Sequence, residues 1–325
     1  MQNTCLDMTV LITGGCGAVG SRTAKRFLDE GEKVVLYDVT PIGGRPLESL
    51  RPYLKNVNVV KGDILNLDQL EETMKEFAID GVIHTAGILG DPPCREAPLR
   101  CIRVNVEGSA NVFEAARLAK LKRVVYTSSR GVYTREATDR PLQEEFPIKQ
   151  TLGSMYGLSK AVADMIGLEY SNSFALDLIT CRLATVYGPG QQFQNYLSPM
   201  LMVESAIDGR PYRLPSGRDH MYELIYVDDV AEALFLCYKI QAPQYRVFNI
   251  GSGRLTRLSE LADLTRKLVP DAIIELGPGP LGGMGGGGTP LDVTRAEKVL
   301  GFKPRYDLER GLKELVDWIK QKKAT

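Results

Sequence analysis

The chain has 325 residues, 44% of them hydrophobic and 25% charged, which suits a globular protein of one large or two modest domains. Forty basic residues balance forty acidic ones, so no global field draws the chain to nucleic acid or to an anionic membrane. No apolar run has the length of a membrane span, and MQNTCLDMTVLITGG at the N-terminus lacks a basic n-region and a cleavage site. Two histidines and six cysteines without a CxxC pair argue against a metal site or a disulfide framework, so a cytoplasmic location is expected.

The first half alternates strand and helix. MTVLITGG (8–15) is a β-branched apolar run ending in glycines, and AVGSRTAKRFLDEG (18–31) follows with helical spacing and a terminal Gly31. Strands are expected at KVVLYDV (33–39), NVNVVKGDI (56–64), GVIHTAG (81–87), KRVVYTSS (122–129) and LDLITCRLATVYG (176–188). Helices are expected at LDQLEETMKEF (67–77), NVEGSANVFEAARLAKL (105–121) and SMYGLSKAVADMIGLEYSNSF (154–174). Apolar strands alternating with helices predict an α/β fold, a Rossmann-type doubly wound parallel sheet. After about residue 184 the pattern loosens into helices joined by Pro/Gly-rich loops. The division read from this is a dinucleotide-binding domain over 1–183, to which 225–253 returns, and a smaller mixed substrate domain over 184–325.

TGGCGAVG (13–20) lies between the first strand and the first helix. A helix N-terminus there presents unpaired N–H groups and a positive partial charge, and Gly14, Gly17 and Gly20 let a pyrophosphate approach the backbone beside Ala18 and Val19. Asp38 ends the second strand, where a carboxylate binds a ribose 2′-hydroxyl and repels a 2′-phosphate; Arg45 in the following loop pulls the other way. Tyr156 and Lys160 are four residues apart, on one helical face, shortly after a strand ending in Ser128 and Ser129.

With these motifs in place, the sequence resembles the extended short-chain dehydrogenase/reductases, the NAD-dependent epimerase/dehydratase group. The resemblance covers nearly the whole chain. Beyond TGGCGAVG and YGLSK it includes GDI (62–64), HTAG (84–87), VNVEGSANV with Asn105, RLATVYGPG (182–190), YVDDVAEAL (226–234) and FNIGSG (248–253). It implies NAD as cofactor, with Asp63 and Ile64 at the adenine, Thr85, Ala86 and Gly87 beneath the dinucleotide, and Asn105 nearby. It implies Tyr156 as general acid/base, Lys160 lowering its pKa and holding the nicotinamide ribose, and Ser129 bonding the reacting oxygen. It also implies a homodimer through paired helices, with Val162, Met165 and Ile166 on a second apolar face.

The chain departs from the family pattern in informative places. The 4,6-dehydratases carry an Asp-Glu pair directly after the serine or threonine; here Arg130 and Gly131 stand there, which argues against elimination of water. Where relatives hold a nucleotide diphosphate with Asn and Arg, this chain has Thr185, Gly190 and Tyr222, and Arg218 offers one charge from a shifted position. GPGPLGGMGGGGTP (277–290) packs eight glycines into fourteen positions where a second domain would close on substrate. It reads either as a linker or as a flap over a carbohydrate that needs less of a nucleotide handle. Three functions stay open: an NAD-dependent carbohydrate epimerase, a dehydrogenase of a free sugar, sugar acid or similar secondary alcohol, and a dinucleotide sensor without catalysis.

Overall fold

Strands that read as unbroken apolar runs need cover on both faces, and helices on both sides provide it. The computed structural model describes residues 8–40, 45–55, 57–133, 138–148, 152–191, 198–281 and 288–324. The elements begin with β1 (Thr9–Thr13), α1 (Ala18–Asp29), β2 (Lys33–Asp38), β3 (Asn58–Lys61), α2 (Leu67–Glu76) and β4 (Gly81–His84). They continue with α3 (Asp91–Glu96), α4 (Pro98–Ile102), α5 (Gly108–Leu118), β5 (Arg123–Ser129), α6 (Met155–Phe174) and β6 (Leu178–Leu183). The second half adds β7 (Thr185–Tyr187), α7 (Pro199–Ile207), β8 (Tyr212–Leu214), β9 (Met221–Tyr226), α8 (Val227–Lys239) and β10 (Val247–Ile250). The chain closes with β11 (Leu255–Arg257), α9 (Leu258–Leu268), β12 (Ile274–Leu276) and α10 (Leu308–Ala324).

Seven strands form one sheet in the order β10-β6-β5-β4-β1-β2-β3, all neighbours parallel. Ile12 stands opposite both Leu36 and Ile83, and all three are fully buried. On one face Phe27 of α1 meets Phe235 and Tyr238 of α8 edge-on; on the other, Phe113 of α5 packs on Tyr126. The chain leaves β1 toward β2 on one side and later returns to β4 on the other, so the β1 and β4 ends open a crevice, the usual ligand position in such sheets. α8 is tied to α1 by the Arg26–Glu232 ion pair at 2.6 Å.

The stretch 176–188, expected as one strand, is two. At Ala184, whose N–H donates to the Ile250 carbonyl, the chain leaves the large sheet; β7 joins β9 and β11 in a separate three-stranded sheet. A second core, with Met202, Leu224, Leu261 and Leu312 among its members, forms around that sheet. β8 and β12 pair as a short parallel ribbon beside it.

The expectation of no disulfide is overturned by Cys94 and Cys101, which form one with their Cα atoms 5.0 Å apart. Seven residues along an unbroken helix span about 10 Å. Here Pro98 forces Ala97 out of helical geometry (φ −132°, ψ 71°), and the fold between α3 and α4 brings the cysteines together. Counting CxxC pairs misses a bridge made by a helix break. Among the described residues no helix is long and apolar enough to cross a membrane.

Candidate active site

The loop between β1 and α1 is held by its own backbone. Gly14 adopts φ +65°, donates to the Tyr37 carbonyl at 2.8 Å, and accepts from the Gly17 N–H at 2.9 Å. A methyl at Gly14 would come 2.7 Å from Ala86 N, and one at Gly20 would come 2.3 Å from the Gly14 carbonyl. Both positions demand glycine. Gly17 caps α1, so the first-turn N–H groups of Ala18 and Val19 have no carbonyl within the helix to bind and face outward from it. Asp38 accepts from Cys16 N through Oδ2 and from Thr40 N through Oδ1, each at 3.0 Å. Asp63 stands exposed beyond it, with Oδ1 on Leu65 N, while the Ile64 carbonyl accepts from Asn111 Nδ2.

The end of β4 is fastened to the same loop. Thr85 donates through both N–H and Oγ1 to the Thr13 carbonyl, at 3.1 and 2.7 Å. His84 lies fully buried between Thr13 Oγ1 (2.7 Å) and Ser109 Oγ (2.9 Å). Ser109 spends its proton on the Asn105 carbonyl, so His84 Nε2–H donates to Ser109 and Nδ1 accepts from Thr13. Burial, with the Lys160 charge adding to it, pushes the His84 pKa down to about 3, so this histidine is a neutral strut.

Asn105 sits in a single wide helical turn, Arg103–Glu107, and serves as a clamp. Its Oδ1 accepts from Ile88 N at 2.7 Å, and its Nδ2 donates to the Ile88 carbonyl and to Ser159 Oγ at 3.0 and 2.9 Å. Ser159 Oγ in turn donates to the Tyr156 carbonyl at 2.8 Å, linking the β4 loop to α6. A methyl on Gly87 would stand 3.0 Å from Asn105 Oδ1 and 3.9 Å from Lys160 Nζ, which shows how closely these groups converge.

Ser154 caps α6, accepting from Gly157 N at 3.0 Å and donating to Asp91 Oδ1 at 2.7 Å. Asp91 also receives the Tyr156 N–H at 3.4 Å; nothing in the local sequence signals that anchor. Gly157 presses on the turn after β5, where a methyl would lie 2.5 Å from the Gly131 carbonyl. That approach sets Tyr156 beside Ser129, whose Oγ accepts from Gly131 N at 3.0 Å. Burial pushes the Tyr156 pKa up to about 12, and a hydrogen bond with Ser129 pulls it back. The lowering expected from Lys160 is not seen: burial sets the direction, and Ser129 is the group that opposes it. Burial brings the Lys160 pKa down to about 7 against the opposing charge of Asp164, and Nζ lies 4.7 Å from the Tyr126 ring centre. Asp164, one turn on, is fully buried and binds Ser128 Oγ (3.0 Å) and Arg182 Nε (2.8 Å).

One face of the crevice thus holds a glycine loop fastened to Asp38, and the other brings half-buried Ser129 and Tyr156 together with buried Lys160. A family model described as "NAD dependent epimerase/dehydratase family" matches residues 10–251. The chain belongs to the NAD dependent epimerase/dehydratase family. Its relatives include a UDP-glucose 4-epimerase of Mycolicibacterium smegmatis, 30% identical over 97% of this chain and 99% of that one. A UDP-glucuronate 4-epimerase of Thermodesulfobacterium geofontis is 25% identical over 96% of both. The solved UDP-glucose 4-epimerase of Thermotoga maritima, with UDP-glucose, superposes with a TM-score of 0.87 at 25% identity, over 97% of this chain and 99% of that one.

As a member of the epimerase/dehydratase family the protein is an NAD-dependent enzyme of the sugar epimerase type or a closely related oxidoreductase. The residues present fit that cofactor: only glycine is tolerated at 14 and 20, N–H groups of α1 face the cradle, and Asp38 keeps lone pairs for hydroxyls. Of the positions that depart from the family pattern, Tyr222 is buried in the second core and carries no charge to a ligand. Arg218 is exposed on a cleft of about 580 Å³ that Arg213, Arg266 and Gly277 also line. The start of the glycine run is pinned there, since Gly277 N donates to the Leu214 carbonyl and Gly279 N to Asp219 Oδ2. Residues 282–287, the centre of the expected flap, lie outside the described residues.

Proposed function

We propose that the protein is an NAD-dependent carbohydrate epimerase working through Ser129, Tyr156 and Lys160. The observation that supports this is the grouping of half-buried Tyr156 and buried Lys160 on α6, with Tyr156 hydrogen-bonded to Ser129 and Lys160 Nζ close to Gly87 of the crevice. NAD, when bound, accepts and returns a hydride. Tyr156 takes the proton of a secondary hydroxyl as its carbon is oxidised, and gives it back after the keto sugar has turned over. Ser129 bonds the reacting oxygen, and Lys160 holds the ribose side of the crevice and supports the phenolate. Asn105 and Ser159 keep the β4 loop and α6 in register.

Two further readings accompany it. Tyr222 in the core, with Thr185 and Gly190, supports a sugar held with less help from a nucleotide diphosphate, because no side chain at those positions is a cationic donor, whose contacts are worth ~1.5–3 kcal/mol each. A homodimer is supported by Leu158 and Met165 of α6 and Leu99 and Ile102 of α4, all exposed. Val162 and Ile166 of the expected face are half-buried, and Ile166 also packs on the core beneath. The test of the main reading is incubation of NAD-loaded protein with free and nucleotide-linked sugars, following product stereochemistry and NADH. Inverted product without accumulated NADH is expected. Stoichiometric NADH with no inversion assigns the dehydrogenase instead. Calorimetry with UDP and dTDP tests the nucleotide reading, which micromolar binding of either overturns.

A further inference from the structure

Arg130 follows Ser129 directly, in the tight turn Arg130–Val132 that ends β5. Its Nη2 donates to the Thr289 carbonyl at 2.8 Å. Nε is buried and has no partner, while Nη1 reaches solvent, and the residue as a whole is half-buried. The acid whose charge reaches the guanidinium is Glu223, and that carboxylate is already engaged by the N–H groups of Gly253 and Leu291, both at 2.8 Å. Burial accordingly pulls the arginine's pKa below its usual value. The cation of the residue that follows the reacting serine in sequence thus binds one neutral carbonyl and no carboxylate among the described residues. A half-buried guanidinium with a buried, unpaired Nε and a solvent-facing Nη1 can receive an anion at a modest desolvation cost.

The anion's nature follows from position and shape. Arg130 is the immediate neighbour of Ser129, whereas a nucleotide diphosphate is separated from the reacting carbon by the sugar ring. A guanidinium presents a planar fork of donors that matches the two oxygens of a carboxylate. We propose that Arg130 recognises the carboxylate of a sugar acid, free or nucleotide-linked, and so determines substrate class. This rests on the reading of Ser129 and Tyr156 as the reacting centre. It also fits Thr185, Gly190 and Tyr222 at the positions where relatives hold a diphosphate: the anion is gripped at the sugar.

The experiment compares acid and neutral sugars in matched pairs, UDP-glucuronate against UDP-glucose and free glucuronate against glucose, with the galacto-configured pairs alongside. NAD-loaded wild type, Arg130→Met and Arg130→Lys are assayed for epimer and for NADH. Wild type is expected to favour the acid at least tenfold in kcat/KM in one pair, and that pair identifies the free or the nucleotide-linked source. Arg130→Met should cut the acid-to-neutral ratio at least tenfold, and Arg130→Lys should restore part of it. A merely structural tie to Thr289 lowers both substrates alike and leaves the ratio unchanged, which overturns the inference; so does a wild-type preference for the neutral sugars. If Arg130→Met does not fold, calorimetry on NAD-loaded wild type decides, and acids binding no tighter than their neutral partners overturn it. NADH formed from an acid without inversion removes the epimerase reading and leaves the carboxylate assignment standing.

Discussion

Asp38 Oδ2 accepts the backbone N–H of Cys16 at 3.0 Å, so the acid that ends β2 is fastened to the loop that cradles phosphate. One residue thereby positions the glycine loop and, in the proposed function, takes the ribose hydroxyl. Its negative charge opposes a 2′-phosphate, and NAD should bind more tightly than NADP. Asp38→Ala should weaken NAD roughly tenfold to a hundredfold while narrowing the gap to NADP, as measured by fluorescence titration of both cofactors. Tighter NADP binding by the wild type would refute the assignment.

Tyr156→Phe removes the transferable proton and leaves the ring's packing. Turnover should fall by on the order of 10²–10⁴ with NAD affinity within a few-fold of wild type. Near-normal turnover takes Tyr156 out of the mechanism.

Lys160 has its folded pKa brought down to about 7 by burial, below the ~10.4 of an unfolded lysine. Over that window the unfolded chain binds the extra proton, so this residue's contribution to stability rises with pH from about 7 toward 10.4. Relative to Lys160→Met, the cofactor-free wild type should gain about 2 kcal/mol between pH 7 and pH 9 in urea unfolding. A flat difference across that range means the ammonium is not desolvated.

The Cys94–Cys101 bridge spans seven positions, and closing so short a loop stabilises by roughly 2–3 kcal/mol. Reduction, or the double change Cys94→Ala and Cys101→Ala, should lower the urea midpoint accordingly. Mass spectrometry that finds both thiols free after non-reducing purification contradicts the bridge.

Leu158 and Met165 lie seven residues apart on the solvent face of α6, 42% and 57% exposed, and Leu99 of α4, a helix that packs on α6, is exposed as well. Leu158→Glu with Met165→Glu should convert a dimer into a monomer in light scattering, without loss of helical signal. A wild-type protein already monomeric at micromolar concentration removes the proposal.

Local chemistry was enough to locate the frame of the site. The TGGCGAVG glycines, Asp38 and the Tyr156–Lys160 spacing are contiguous patterns, and their meaning depends on a strand end or a helix face that hydrophobic periodicity identifies. The same periodicity yields the order of strands and helices that implies a parallel sheet. What it does not contain is pairing between distant segments. The split of 176–188 at Ala184 depends on a hydrogen bond to Ile250, and the Cys94–Cys101 bridge on a break before Pro98. Asp91 beneath Tyr156 and Thr289 against Arg130 join positions 65 and 159 residues apart. The balance of burial and charge that raises Tyr156 and lowers Lys160 arises only once helix, strand and loop have excluded water together. Sequence determined which groups are present and on which element they sit; desolvation and long-range contact, which exist only in the folded chain, decided how each is held and charged.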